Sequence, residues 1–156
     1  ANSEPRVRSI RNVMSVFLRS VGMAIVATVV GSPALSQEIA PKRLSLELNA
    51  VQDVQGACRF TFVANNTTGN AIDKAVFETV IFDTYGAVVR LSLFDFRDLP
   101  ADRPRVRQFD VPATACDGIG QTLINGTNTC TVNGAQSDIC SDGLTLSSRI
   151  TIKLLG

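Results

Sequence analysis

The stretch Ala75–Phe96, AVFETVIFDTYGAVVRLSLFDF, decides the fold of this chain. Two apolar runs rich in Val, Ile, Phe and Thr flank Asp83-Thr84-Tyr85-Gly86. Those residue types suit a pleated, half-buried surface. The break closes on Gly86, and glycine takes the positive φ that a tight turn needs. The spacing predicts a β-hairpin. In its first arm both parities are apolar, with Phe77 and Ile81 on one and Val80 and Phe82 on the other. That pattern marks a strand at the centre of a sheet. Glu78 interrupts it and is expected near a strand end or paired with an arginine.

Upstream of the hairpin the alternation is cleaner. Leu44, Leu46 and Leu48 alternate with Ser45, Glu47 and Asn49, which predicts a strand with one buried face. Asp53–Gly56 breaks it. Cys58, Phe60, Phe62 and Ala64 form the inward face of the next strand, and NNTTGN at 65–70 is a turn cluster. Downstream, DLPADRP at 98–104 connects to a strand over Arg105–Val111. Its pattern is imperfect, because Phe109 and Val111 share a parity with Arg105 and Arg107. A β-bulge near Arg107 or Gln108 would reconcile it. Ala113–Gly143 reads as irregular, with one short strand at Gly120–Asn125. The chain closes on Leu144–Leu154, where Leu and Ile alternate with Thr, Ser, Arg and Lys. It reads as one regular strand, in the middle of a sheet or beside the first strand. Six or seven strands at these intervals predict an all-β antiparallel sandwich.

Residues 1–36 read as a secretion signal. Basic RSIRNVMSVFLRS precedes the apolar Val21–Val30, and Ala34-Leu35-Ser36 ends a cleavage-site pattern before Gln37. The apolar run is short of the roughly 18–20 residues a membrane span needs. Met14 is a candidate true start. The expected organisation is therefore a signal helix over 1–36 and one β domain over 37–156, in a periplasmic or secreted protein with no stable span after cleavage. The leader has four arginines against one glutamate, and the remainder has eleven basic and thirteen acidic residues. A near-neutral folded part lacks the basic footprint of a nucleic-acid binder.

The 156-residue chain has no histidine, which removes Ser-His and Cys-His catalysis and the commonest zinc ligand. An even number of cysteines in an exported chain reads as disulfides. Cys58, Cys116, Cys130 and Cys140 allow three pairings. The strand positions favour Cys58–Cys116, tying two strand ends, with Cys130–Cys140 closing a short loop. No two cysteines have zinc-finger spacing, and no C-x-x-C occurs. Asp83 reads as a turn residue. Asp138 and Asp142 around Cys140 fit ordinary turn chemistry better than calcium. No metal or cofactor is expected. Ser147 and Ser148 have no base nearby, so no catalytic residue is assigned.

The one candidate ligand-binding set is Arg103, Arg105 and Arg107. Same-face residues on a strand lie about 7 Å apart, so three guanidiniums would form a ladder for an anion. The competing reading pairs them with Asp95, Asp98, Asp102 and Asp110 on a solvated face.

Several residues carry a resemblance. Asn65-Asn66 ends a strand, Phe82-Asp83 with Gly86 closes the next strand on a turn, and Leu99-Pro100 precedes a strand with Phe109. This order resembles the FxLYD-type immunoglobulin-like domains of bacterial envelope proteins. The segment FDFRDLP…RVRQFDVP and the ending DGLTLSSR resemble small uncharacterised exported proteins of alphaproteobacteria. The resemblance implies an immunoglobulin-like sandwich of about seven strands and supplies no catalytic residue. The function expected from all this is a non-catalytic exported envelope protein acting through contacts with a protein partner. The alternative is a binding module for a small anionic ligand or glycan, using the arginine-bearing strand.

Overall fold

A computed structural model describes residues 41–156. The signal segment expected over 1–36 lies outside the described residues. The described chain forms nine strands: β1 Leu44–Val54, β2 Ala57–Asn66, β3 Ile72–Asp83, β4 Val88–Leu99, β5 Arg105–Pro112, β6 Ile119–Val132, β7 Ala135–Gln136, β8 Thr145–Ser148 and β9 Lys153–Leu155. A 3-10 turn, Cys116–Gly118, precedes β6. One sheet has the order β5-β2-β1-β8, and the other β4-β3-β6-β7 with β9 also paired to β6. The two pack face to face as a sandwich.

The inward faces follow from period-2 alternation. Leu44, Leu46 and Leu48 of β1 and Cys58, Phe60, Phe62 and Ala64 of β2 are buried. They meet Ala75, Phe77 and Ile81 of β3 and Phe94 and Phe96 of β4 in one core. Phe62 lies at the centre, with ring centroids 5.5 Å from Phe96, 5.9 Å from Phe109 and 6.0 Å from Phe94. Edge-on approaches of this kind add attraction beyond the area buried.

The hairpin forms as its sequence predicts. β3 pairs β4 on one side and β6 on the other, so it is a central strand. The Asp83 carboxylate accepts from the backbone N–H of Tyr85 at 2.9 Å and of Ala87 at 2.8 Å, and Gly86 takes φ 86°. A short acid that satisfies the turn's own amides is the reason for Asp at this point. In the NNTTGN turn, Asn66 is fully buried. It donates to the carbonyls of Leu99 and Asn70, each at 2.8 Å, and its own oxygen accepts from Thr68. Every hydrogen-bonding capacity of the amide is used, which is what allows its burial.

Five expectations need correction. The short strand at Gly120–Asn125 is part of the fourteen-residue β6, a central strand. Gly120, Asn125 and Asn128 are skipped in its pairing with β3, at three register shifts. Bulges leave such residues unpaired, so a continuous strand hides behind turn-like composition. The closing segment Leu144–Leu154 is two strands. β8 pairs parallel with β1 in one sheet, and β9 pairs parallel with β6 in the other. The Ser148 hydroxyl, bonded to the Ile152 carbonyl at 2.6 Å, holds the crossover between them. The sandwich is therefore not purely antiparallel.

β5 has no bulge. It pairs β2 in unbroken register from Ala57↔Pro112 to Ala64↔Arg105. Arg105 and Arg107 share the inward parity with Phe109 and Val111, and long arginine stems at a sandwich rim can lie over apolar surface while the heads reach polar groups. Glu78 sits mid-strand in β3 with Asn125 donating to its carboxylate, not an arginine. Finally, β1 continues through Val54, so its turn is only Gln55-Gly56.

Candidate functional site

The arginine set divides. Arg107 Nε donates to the Phe96 carbonyl at 2.6 Å, and its Nη2 donates to the Asp98 carbonyl at 2.9 Å and carboxylate at 3.3 Å. Arg105 reaches the same carboxylate at 3.6 Å. Arg103 lies exposed in the turn before β5 and takes no part in these pairs. Two guanidiniums thus share one acid, and Arg107 is spent on the backbone of the opposite sheet. On the far face of β5, Asp110 holds Arg59 through two bonds of 2.7 and 2.8 Å. That hydrogen-bonded pairing lowers the Asp110 carboxyl below its ordinary value of 3.8, with the nearby positive charge adding to it, and raises Arg59.

The cysteines pair as Cys58–Cys116 and Cys130–Cys140. The first bridge lies at the end of β2, where the Asp53 carboxylate also accepts from the Cys116 backbone at 2.8 Å. The second joins β6 to the loop before β8. Two disulfides are compatible with an extracellular or periplasmic protein. Among the described residues, no helix is long and apolar enough to cross a membrane, and no cluster of three His, Cys, Asp or Glu side chains stands ready for a metal.

The most distinctive surface is one the sequence reading missed. β3 carries apolar residues on both faces, and of these Ile72, Ala75, Phe77 and Ile81 enter the core. Val76, Val80 and Phe82 turn to the outside of the sheet. Leu91 pairs directly with Val80, Val80 with Leu123, and Leu123 with Leu155. Directly opposed residues face the same side, so these four make one apolar row across β4, β3, β6 and β9. The side chains beside Val80 are large enough to leave it only 7% exposed. At the β4 end the row opens. Val88 is 63%, Leu91 57% and Leu93 54% exposed, and Tyr85 at the hairpin tip is 96% exposed.

β4 is also an edge. Among the described residues it pairs β3 and no other strand. Its far end is closed: Arg107 covers the carbonyls of Phe96 and Asp98, and the chain kinks at Arg97, φ 59°. Between the bulge at Val89 and that kink, no described strand pairs with the edge. An open edge flanked by exposed apolar side chains is a template for another strand. The sequence signal was present in VVRLSLF at 88–94, where Val89, Leu91 and Leu93 alternate with Arg90 and Ser92. Periodicity cannot say which of two apolar faces has a neighbour.

Elsewhere, a cleft of about 520 Å³ opens between Ile124, Leu144, Leu146 and Leu154. Its few polar groups include the Thr127 and Ser141 hydroxyls, already bonded to each other at 2.9 Å. The chain matches no family model, no curated protein and no solved structure.

Proposed function

We propose that this chain is a non-catalytic, exported envelope protein that works by contact with other protein surfaces. The observation that carries the reading is the Leu91–Val80–Leu123–Leu155 row ending at the open β4 edge. Exposed contiguous apolar surface on a soluble domain marks an interaction site. The signal pattern at 1–36 and the two disulfides support export to the periplasm or beyond.

An immunoglobulin-like ancestry is part of the proposal. The order β1-β2-β5 against β4-β3-β6 corresponds to strands A-B-E and C′-C-F of that fold. The match supports the fold assignment through the first six strands. The closing segment departs from it, because β9 runs parallel to β6. The alternative, capture of a small anion or glycan by Arg103, Arg105 and Arg107, draws less support. An incoming anion would have to compete with the Asp98 carboxylate and two backbone carbonyls.

The test is in-cell cross-linking of a C-terminally tagged protein, followed by purification and mass spectrometry, with Leu91→Lys run beside it. A protein recovered at near-stoichiometric yield with the native chain and lost with Leu91→Lys supports the reading. Identical recoveries from both would overturn it.

A further inference from the structure

We infer that the open edge of β4 pairs with the same edge of a second copy of this chain, antiparallel and centred on Leu91. The inference rests on the contact-surface reading above and names the occupant. A two-fold interface requires a patch that complements itself. The stretch Val89–Leu93 does so in one register. Leu91 meets Leu91 of the second copy, and Val89 meets Leu93 of the second copy in both directions. The apolar row then runs unbroken from Leu155 of one copy to Leu155 of the other, through eight strands.

Charge selects this register over its neighbours. A one-residue slip turns the apolar set of one copy to the wrong face. A two-residue slip toward Tyr85 sets Arg90 opposite Arg90 of the second copy, a like-charge pair in direct cross-strand contact. A two-residue slip the other way sets Asp95 against Val89 of the second copy and strips water from a carboxylate. In the Leu91-centred register neither occurs, and Asp95 stays outside the paired stretch.

A second observation points the same way. Arg90 Nε is buried and has no hydrogen-bond partner among the described residues. The guanidinium's one bond there is a long one, 3.4 Å from Nη2 to the Pro112 carbonyl. Centred on Leu91, the pairing brings the Ser92 hydroxyl of the second copy directly opposite Arg90. That places an acceptor within reach of the orphaned donor. The protein also shields its β4 edge selectively. Arg107 caps the carbonyls of Phe96 and Asp98, where Asp95, Arg97 and Asp98 would oppose a partner strand, and the apolar stretch is left open.

The test uses the full chain with single cysteines added on β4. Opposed residues sit about 4.5–5.5 Å apart at Cα, within disulfide reach. Leu91→Cys is expected to give a covalent dimer on mild oxidation. Leu93→Cys alone is expected to give little, because its two copies lie about 13 Å apart along the strands. Mixing Leu93→Cys with Val89→Cys should restore the cross-link. Light scattering up to about 100 μM should show a dimer for the native chain and a dissociation constant raised about tenfold or more for Leu91→Lys, with a melting temperature equal to the native chain's at dilutions where both are monomeric. A native chain that stays monomeric, or a dimer without the Leu91→Cys cross-link, would overturn the inference. In that event, loss of a different captured protein in Leu91→Lys would leave the contact-surface reading standing. No effect of Leu91→Lys on any capture would remove both.

Discussion

The guanidinium of Arg107 on β5 donates to the backbone carbonyl of Phe96 on β4 at 2.6 Å, tying the edge of one sheet to the edge of the other. A residue that reads as a ligand-facing cation in the sequence is, in the fold, a cap on an exposed strand edge. Its Nη2 extends the cap to Asp98. The planar fork of arginine suits this, since several N–H groups leave one rigid plane toward neighbouring acceptors.

Replacing Arg107 by Ala should therefore destabilise the fold. Carbonyl oxygens left without their charged donor cost about 1–3 kcal/mol. Arg107→Lys should recover only part of that, since an ammonium lacks the fork. Arg103→Ala, at an exposed turn, should stay within about 0.5 kcal/mol of the native chain. Urea unfolding of the three variants separates them; equal losses at 103 and 107 would contradict the capping role.

The two disulfides should differ in worth. Cys58–Cys116 spans 58 positions and Cys130–Cys140 spans 10. Loop-closure entropy assigns about 4 kcal/mol to the first and about 3 kcal/mol to the second. Paired Cys→Ala variants should lose stability in that order by thermal or urea unfolding. The reverse order would place the stabilisation in local geometry instead of the unfolded chain.

The Arg59–Asp110 pair predicts a titration. The paired carboxyl is lowered from its ordinary value of 3.8, first by the hydrogen bond from Arg59. Its contribution to stability is present above 3.8 and is lost as pH falls through the lower folded value. NMR of the carboxyl carbon should show Asp110 titrating below 3.8, and Arg59→Gln should return it toward that value. An Asp110 midpoint unaffected by Arg59→Gln would refute the pairing in solution.

Gly120 and Gly126 both lie in β6, and their alanine variants should part company. A Cβ at Gly120 would stand 2.6 Å from the Asp83 carbonyl oxygen, part of the hairpin backbone. A Cβ at Gly126 would meet nothing within 4 Å. Gly120→Ala should cost about 1–3 kcal/mol. Gly126→Ala should be neutral or stabilising by less than about 1 kcal/mol. Equal effects would mean that the hairpin turn yields easily.

Much of the fold was legible where burial is one-sided. β1 and β2 alternate strictly because each has one face in the core, and the Asp83 turn announces itself through its own chemistry. β6 was hidden because its three bulges sit at Gly120, Asn125 and Asn128, residues that otherwise punctuate loops. The division of the last segment into β8 and β9 was hidden because both halves keep the same alternation while joining different sheets. Of the candidate ligand-binding residues, Arg105 and Arg107 share the inward parity with Phe109 and Val111 without the bulge that the pattern suggests. Their engagement with Asp98 and Phe96 depends on β4 lying across the rim, which strand periodicity does not contain.

The sequence by itself determined an all-β chain, the hairpin at Asp83–Gly86 and the cysteines available for bridging. These depend on local alternation, turn stereochemistry and residue type. Only the tertiary structure decided which strands are neighbours, which apolar face of β3 enters the core, and where the edge of β4 is capped or open. Those are outcomes of long-range pairing, where chain segments tens of residues apart compete for the same hydrogen bonds and the same buried face.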